Sequence, residues 1–285
     1  MRRQRPAAKG KKQMRTLNRE LAFSGVGLHS GSECSVRLLP SQKDGIYFNT
    51  RNGSFSAASA VVEEDSRLTG FRLPDGTHVR TAEHLLGAIV GMGLDSVEVD
   101  LGSEEIPIRD GSALPFASAI AEAGLCDNGT EKTRRALFAP IAVEEPRGGR
   151  VMAAIPSDTI KITYVIDYSG TPIGVQRASY EITPETFLNT IAKARTFGLT
   201  NELDFLRQNG LAKGGSLDNA VMFDKDRLLN PGGLRFPLEP VTHKVIDLLG
   251  DLALMGNVPI AHYTAICAGH GIHGKLVDKL KKIFM

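Results

Sequence analysis

The sequence predicts an α+β protein with two domains, on three observations. Segments of alternating apolar and polar residues, typical of half-buried strands, are interspersed with segments of helical periodicity along the chain. At 285 residues and 42% hydrophobic composition, the chain is long enough for one large domain or two of ordinary size. The polar stretch at residues 126–135 lacks periodicity and separates two halves with the same order of strands followed by helices. We therefore predict a first domain at residues 15–128 and a second at residues 136–285.

Residues 1–14 are predicted to form a disordered basic tail, because Lys and Arg are frequent there and acids are absent. A targeting or anion-binding arm is the alternative. No apolar run follows the tail, as a secretory signal requires, and none elsewhere approaches the roughly 18 residues of a membrane span. We expect a cytoplasmic protein without stable membrane insertion and, given a net charge of only +2, without a nucleic-acid partner. Cys34, Cys126 and Cys267 are odd in number and far apart, so no disulfide framework is expected.

In the first half, alternating residues predict strands at 33–39 and 45–49, joined by a turn-rich segment in a hairpin-rich start. Thr81 is the predicted N-cap of a helix at residues 82–91. Alternation predicts the next strand at 95–101, and apolar residues at helical spacing predict a helix at 115–123.

In the second half, strands are predicted at 139–144 and 159–167, followed by a helix at 184–194. An amphipathic segment at 199–211 ends at a glycine pair. A long helix at 240–255, a strand at 260–267, a glycine-rich loop at 269–275 and a basic helix at 276–284 complete the order.

His243 and Asp247 are four residues apart on the long helix, so both project from one face and can hold one metal ion. His84 is a third ligand of the right kind, and Glu83 beside it can act as a general base on water. Two His, one Asp and a spare Glu indicate a hydrolytic zinc site, because such a site keeps three protein ligands and an open position. Asp251, one further turn along, can orient another imidazole such as that of His270. A pair of surface residues on a helix is the alternative for His243 and Asp247.

Two glycine-rich segments offer nucleotide-binding alternatives. Residues 269–275 match the phosphate-loop spacing, but Leu276 replaces the hydroxyl residue that would hold magnesium. Residues 25–31 miss the dinucleotide pattern by one position and indicate a tight turn. His29 in that turn is a candidate site residue or a solvated loop histidine.

Seven dispersed motifs occur in a recognisable order: SGVGLHSG (24–31), TAEHL (81–85), IPIRDGS (106–112), RTFG (195–198), GGSLD (214–218), HKVID (243–247) and GH (269–270). From about residue 15 to the C-terminus the chain resembles the zinc-dependent UDP-3-O-acyl-N-acetylglucosamine deacetylases of lipid A biosynthesis. The resemblance implies two similar two-layer α/β sandwich domains packed face to face, each with a small insert. It also implies Zn²⁺ as cofactor and a UDP-linked acylated N-acetylglucosamine as substrate. We expect a monomer.

By this resemblance, the zinc ligands are His84, His243 and Asp247. The catalytic residues it implies are Glu83 as general base, His270 as the positive partner, Thr196 at the tetrahedral intermediate, Asp251 behind His270, and Lys244 holding substrate. An apolar passage in the second insert would take the acyl chain, and the substrate-binding candidates are Phe197, Leu199, Leu203, Leu211, Tyr168 and His29.

The chain departs from the family pattern near its last motif. The family usually has Asn where this chain has His273, and Lys or Arg just before the motif where this chain has Cys267. These departures leave open a zinc amidohydrolase for a different N-acetylated sugar. A further alternative is a zinc-holding binding protein without catalysis, for which the basic tail would be a contact arm.

Overall fold

The framework of the protein is a pair of five-stranded mixed sheets with helices packed between and beside them. The computed structural model describes residues 13–63, 70–133, 135–145, 148–208 and 210–285, without the side chains of 204–207. The described strands are β1 (Gln13–Leu17), β2 (Leu21–Val26), β3 (Glu33–Pro40), β4 (Gly45–Thr50), β5 (Gly53–Ser56), β6 (Val61–Val62), β7 (Gly70–Arg72), β8 (His78–Arg80), β9 (Ser96–Leu101), β10 (Leu125–Glu131), β11 (Ile141–Glu145), β12 (Arg150–Ile155), β13 (Lys161–Tyr168), β14 (Gly174–Glu181), β15 (Phe197–Leu199), β16 (Val221–Phe223) and β17 (His262–Ile266). The described helices are α1 (Glu83–Gly91), α2 (Leu114–Ala123), α3 (Pro184–Asn189), α4 (Thr200–Gln208), α5 (Glu239–Leu252) and α6 (His270–Phe284).

The two sheets share one topology. The first has the order β2-β3-β9-β4-β5 and the second the order β11-β12-β17-β13-β14. In both, the central strand pairs antiparallel with one neighbour and parallel with the other, and both outer pairs are antiparallel. In each half a helix precedes the central strand and another follows it. The predicted α+β class with two similar halves is therefore confirmed.

The halves meet where α1 packs against α5. Both helices are almost wholly buried, and the apolar residues of both sheets and these helices form one continuous core. Burial on all sides explains why the apolar residues of α1 surround the helix instead of lying on one stripe.

Each half also carries an insert just before the helix that precedes its central strand, α1 in the first half and α5 in the second. The first insert is the three-stranded sheet β6-β7-β8, and the second contains the parallel pair β15-β16 with α4 between the two strands. A parallel pair needs such a crossover, because its two strands run in the same direction.

Several local predictions need correction. Strands β3 and β4 do not pair with each other, because β9 lies between them; the hairpins are β2-β3 and β4-β5. Residues 126–131 of the predicted linker belong to strand β10, which pairs with β1. Strand β1 begins at Gln13, inside the predicted tail, whereas residues 1–12 lie outside the described residues. The domain boundaries themselves stay a prediction.

One predicted helix cap, at Thr81, and one predicted loop, at residues 269–275, are also wrong. Thr81 is not the N-cap of α1, since its φ is +56° and its hydroxyl donates to Glu105 Oε1 at 3.1 Å. The predicted glycine-rich loop is helical from His270 onward, with its residues in the first turns of α6. A regular helix cannot wrap around a phosphate as a phosphate loop does, which removes the nucleotide-binding alternative for this segment.

Candidate metal centre

The three predicted metal ligands converge at the junction of α1 and α5. His84 Nε2 lies 3.3 Å from His243 Nε2, and His243 Nε2 lies 3.2 Å from Asp247 Oδ1. The three donor atoms lie within 4.8 Å of one another. All three residues are almost completely buried. This is a His-His-Asp donor set of the kind that binds zinc in hydrolases.

The close crossing of α1 and α5 places these ligands. A Cβ on Gly250 of α5 would overlap the carbonyl oxygen of Glu83, and one on Gly87 of α1 would lie 3.1 Å from Ile246 Cγ2. Each helix thus contacts the other through a glycine, and each has a metal ligand three residues before that glycine: His84 before Gly87, and Asp247 before Gly250. The duplicated helices therefore present one ligand each from equivalent positions, and His243 is added from the preceding turn of α5.

Hydrogen bonding fixes the orientation of His243. Its Nδ1 lies 3.1 Å from the carbonyl oxygen of Ala194, which can only accept a hydrogen bond. Nδ1 must therefore carry the proton, which leaves the Nε2 lone pair directed at the metal position. Burial, together with the nearby His243, lowers the pKa of His84 to about 3, so that His84 is also a neutral imidazole. The donor set thus fits a metal cation in its protonation as well as in its geometry.

Glu83 lies beside the ligands and lacks the contacts that usually accompany a buried carboxylate. The residue is 7% exposed, and its Oε2 has no hydrogen-bond partner in the described part of the chain. Burial raises its pKa to about 7, although the charge of His270 opposes the increase. A carboxylate with a pKa near neutrality and a free oxygen suits a general base.

His270 lies at the same site, with its ring within 4.8 Å of the Glu83 and Asp247 carboxylates, and it is paired with Asp251. Its Nδ1 donates to Asp251 Oδ2 at 2.7 Å, and its Nε2 is 4.0 Å from Asp247 Oδ2. Burial would lower the pKa of His270, but the charges of Asp251, Asp247 and Glu83 raise it to about 9. His270 is therefore cationic at neutral pH, and Asp251, with a pKa of about 2, is anionic. The expected pairing of these two residues is present.

Sequence reasoning missed one member of this cluster. His273 Nδ1 donates to the same Asp251 Oδ2 at 2.6 Å, and its ring is fully buried. Its position three residues after His270, on the same face of a helix, was the available signal. Because the segment was predicted to be a loop, that helical spacing was not used.

Lys244 and Phe197 border the metal position. Lys244 Nζ donates to Asp247 Oδ2 at 2.8 Å and lies 5.7 Å from the centre of the Phe197 ring. Burial alone would lower the pKa of Lys244, but the negative charge of Asp247 has the larger effect, so the pKa is raised. Phe197 also packs edge-on against His243 and Tyr168, with ring centres 6.4 Å and 5.5 Å away.

The remaining predicted residues surround the second insert. Thr196 donates its backbone N–H to Gly111 and accepts from the N–H of Val221, which ties the insert to the first half. Leu199, Leu203 and Leu211 are half-buried in or after β15 and α4. His29 is buried, and its Nδ1 accepts from the N–H of Ala212 at 3.4 Å. The structure brings Phe197 and Tyr168 to the metal ligands and places His29 against the loop that follows α4.

Among the described residues, no helix is both long and apolar enough to cross a membrane.

The chain is similar to one protein family over almost its whole length. A family described as UDP-3-O-acyl N-acetylglycosamine deacetylase matches residues 14–282. The UDP-3-O-acyl-N-acetylglucosamine deacetylase of Syntrophotalea carbinolica is 40% identical over 273 residues, covering 93% of this chain and 86% of the relative. Proteins of the same name from a Nostoc species and from Chlamydia felis are each 40% identical over 93% of this chain, and the alignments cover 97% and 96% of those proteins.

Proposed function

The chain belongs to the UDP-3-O-acyl N-acetylglycosamine deacetylase family, and we propose that it hydrolyses the N-acetyl amide of UDP-3-O-acyl-N-acetylglucosamine in lipid A biosynthesis. The products are acetate and the free amine of the sugar. The observation that carries this proposal is the convergence of His84, His243 and Asp247 beside a buried Glu83 and a protonated His270, both of which lie within 4.8 Å of Asp247.

His84, His243 and Asp247 would hold Zn²⁺ in this chain. When bound, the zinc polarises the acetyl carbonyl and acidifies water. The neutral imidazole of His84, the Nε2 of His243 and the ionised carboxylate of Asp247 match what the cation requires of its ligands.

Glu83 and His270 divide the proton transfers. Ionised Glu83 takes a proton from the attacking water, since its Oε2 is available and burial makes the carboxylate more basic than usual. Cationic His270 stabilises the developing oxyanion and gives a proton to the leaving nitrogen. Hydrolysis of one amide by one water then balances, because the amine leaves with the proton and acetate leaves with the water oxygen.

The substrate contacts follow from the border of the site. Lys244 holds the polar part of the substrate next to the reacting carbonyl, and Thr196 hydrogen-bonds the tetrahedral intermediate. Tyr168 stacks on the uracil, and the half-buried Leu199, Leu203 and Leu211 line an acyl passage that begins at Phe197. His29, between the glycine-rich turn and the second insert, completes the list of substrate-binding candidates. The contact of Phe197 with both His243 and Tyr168 supports this arrangement.

Acetate release from UDP-3-O-acyl-N-acetylglucosamine tests the activity directly. We expect the purified chain to release acetate, to lose activity with a zinc chelator, and to regain it with added zinc. Equal turnover of an N-acetyl sugar without UDP would favour the alternative substrate, and tight substrate binding without acetate release would favour a binding protein.

The ligand assignment has its own test. His84→Ala should lose bound zinc, measured by elemental analysis, whereas Glu83→Gln should retain it. Zinc bound to His84→Ala as tightly as to the parent chain would show that the ligand set is wrong.

A further inference from the structure

The carboxylate of Asp251 receives two imidazoles, and only one of them has a role in the reaction proposed above. His270 Nδ1 lies 2.7 Å and His273 Nδ1 lies 2.6 Å from the same oxygen, Oδ2. Both rings come from the first turns of α6, where a spacing of three residues puts them on one face. Asp251 thus connects the start of α6 to the end of α5.

The shared oxygen determines which ring nitrogens carry protons. Asp251 is ionised, with a pKa of about 2, so its Oδ2 can only accept. Each imidazole must therefore present an Nδ1–H to it. For His270 this leaves Nε2 on the side of the metal site, 4.0 Å from Asp247 Oδ2.

His273 does not face the site, because its other nitrogen is engaged inside the second half. Its Nε2 lies 3.0 Å from the hydroxyl of Tyr164. Burial lowers the pKa of His273, so the ring is neutral and Nε2 accepts from that hydroxyl, whose single hydrogen also has the carbonyl oxygen of Ala268 within 2.8 Å of its oxygen. The Tyr164 and His273 side chains are both fully buried. The ring of His273 is thus fixed at both nitrogens, on an element separate from the helix that carries Asp251.

Each donor restricts rotation of the carboxylate about its Cβ–Cγ bond, and Oδ2 of Asp251 receives two donors from different directions. The second donor here is part of a rigid, buried ring. Charge-assisted hydrogen bonds are short and strong, so the pair of contacts constrains Asp251 more than either alone.

We infer that His273 is a positioning residue: its Nδ1–H holds the carboxylate of Asp251 in the orientation that directs His270 Nε2 into the site. This inference rests on the proposed function, since it assigns His273 a part in the same reaction through Asp251 and His270. His273 itself contacts no reacting group.

Two amide variants test the contacts of the two ring nitrogens of His273 one at a time. In Asn the terminal nitrogen is bonded to Cγ, as Nδ1 is in His, so His273→Asn keeps a donor for Asp251 and loses the contact with Tyr164. In Gln the nitrogen lies one bond further out, so His273→Gln keeps a group near Tyr164 and loses the donor to Asp251. His273→Leu removes both, and Tyr164→Phe removes only the hydroxyl.

We expect kcat for acetate release to fall by about 10- to 100-fold in His273→Leu and His273→Gln, with KM within about twofold of the parent. His273→Asn and Tyr164→Phe should retain kcat within about threefold, because the Nδ1 position still provides a donor. A merely structural role would instead order the four variants by their melting temperatures. Loss of kcat in Asn equal to that in Leu, at equal stability, would overturn the inference.

Two further measurements keep the test independent of the assay and of the metal. In ring-labelled protein, NMR should show the Nδ1–H protons of His270 and His273 protected from exchange, beside that of His243 on the Ala194 carbonyl. His273→Leu should remove the His273 signal and make the His270 proton exchange faster, while the His243 proton is unchanged. If the parent chain releases no acetate, the proposed function fails, yet these protons still test the hydrogen bonds. Two His and one Asp are also a metal donor set, so a second zinc equivalent that disappears in His273→Asn would overturn the positioning role.

Discussion

The starts of α1 and α5 each carry a buried glutamate, and the two glutamates differ in what surrounds them. Glu239 is 1% exposed, and its carboxylate accepts from Arg195 Nε at 2.7 Å, from Arg195 Nη2 at 3.1 Å and from the N–H of Arg235 at 2.6 Å. Glu83 is 7% exposed, and its Oε2 has no partner among the described residues. The two halves have the same topology, so this difference does not come from the scaffold. The Glu239 carboxylate is committed to an ion pair, whereas an oxygen of Glu83 remains available for the role of base that we propose.

Glu83→Gln should produce the largest effect on activity. Replacing the base with an amide should lower kcat by about 10²- to 10⁴-fold, while zinc stays bound. Retention of zinc is the internal control, and near-normal turnover in zinc-loaded Glu83→Gln would show that Glu83 is not the base.

The same variant should not be less stable. When the pKa of an acid is higher in the folded than in the unfolded chain, its protonated form stabilises the fold at low pH, and this stabilisation is lost as the pH rises. For Glu83 the loss occurs between its ordinary pKa of 4.5 and its folded-state pKa of about 7. At pH 8 the metal-free Glu83→Gln chain should therefore be more stable than the parent, by up to about 3 kcal/mol. Urea unfolding of both chains without metal measures this difference, and a less stable variant would contradict it.

Glu239→Gln is the matched substitution, and we expect the opposite pattern. Removing one charge of a buried ion pair should lower the free energy of unfolding by about 3–5 kcal/mol, because the Arg195 guanidinium is left without its carboxylate. Measured on folded enzyme at low temperature, its loss of kcat should be smaller than that of Glu83→Gln. Equal stability losses in the two variants would remove the distinction between the two acids.

The glycines at the helix crossing allow a second comparison of the two halves. Gly250→Ala should destabilise the fold by about 3 kcal/mol, because its Cβ would overlap the backbone of Glu83. Gly87→Ala should have an effect of less than about 1 kcal/mol, because it meets Ile246 at 3.1 Å and gains helix propensity. Thermal unfolding of the pair tests this order, and a larger effect of Gly87→Ala would contradict the described crossing.

The pH dependence of activity tests the two proton-transfer roles together. Activity requires ionised Glu83 and protonated His270, so kcat/KM should rise with pH up to about 7 and fall above about 9. Bound zinc is positive and lowers the pKa of Glu83, which places the acid limb at or below that value. Outside these limits activity should change about tenfold per pH unit. A profile flat from pH 5 to 10 would contradict both proton-transfer roles.

Local periodicity predicted much of the fold, and the failures have a common physical origin. The helices containing His84 and His243 were expected within a few residues of their observed bounds, because apolar spacing and capping are local properties. The assumed pairing of β3 with β4 failed because β9, from residues 96–101, is inserted between them. Strand order depends on contacts between distant segments, which a local pattern does not contain.

The candidate site shows the same division. The spacing of His243 and Asp247 and the neighbours Glu83 and His84 were sufficient to predict a hydrolytic zinc site. The role of His273 was missed, because it depends on Asp251, which lies 22 residues earlier in the sequence on another helix. Thr81 was assigned as a cap from its residue type, whereas Glu105 holds its side chain.

The sequence by itself determined which residues are candidates for the chemistry and, through its ordered motifs, which family they resemble. Residue type sets pKa and ligand character, and helical spacing puts His243 and Asp247 on one face. The tertiary structure alone decided that two topologically equivalent helices cross at glycines, bringing His84 within 3.3 Å of His243 across 159 residues of sequence. It also decided that Glu83 is buried without a partner for Oε2 while Glu239 is paired. The reason is that burial and pairing depend on which segments pack together, and packing is a property of the whole fold.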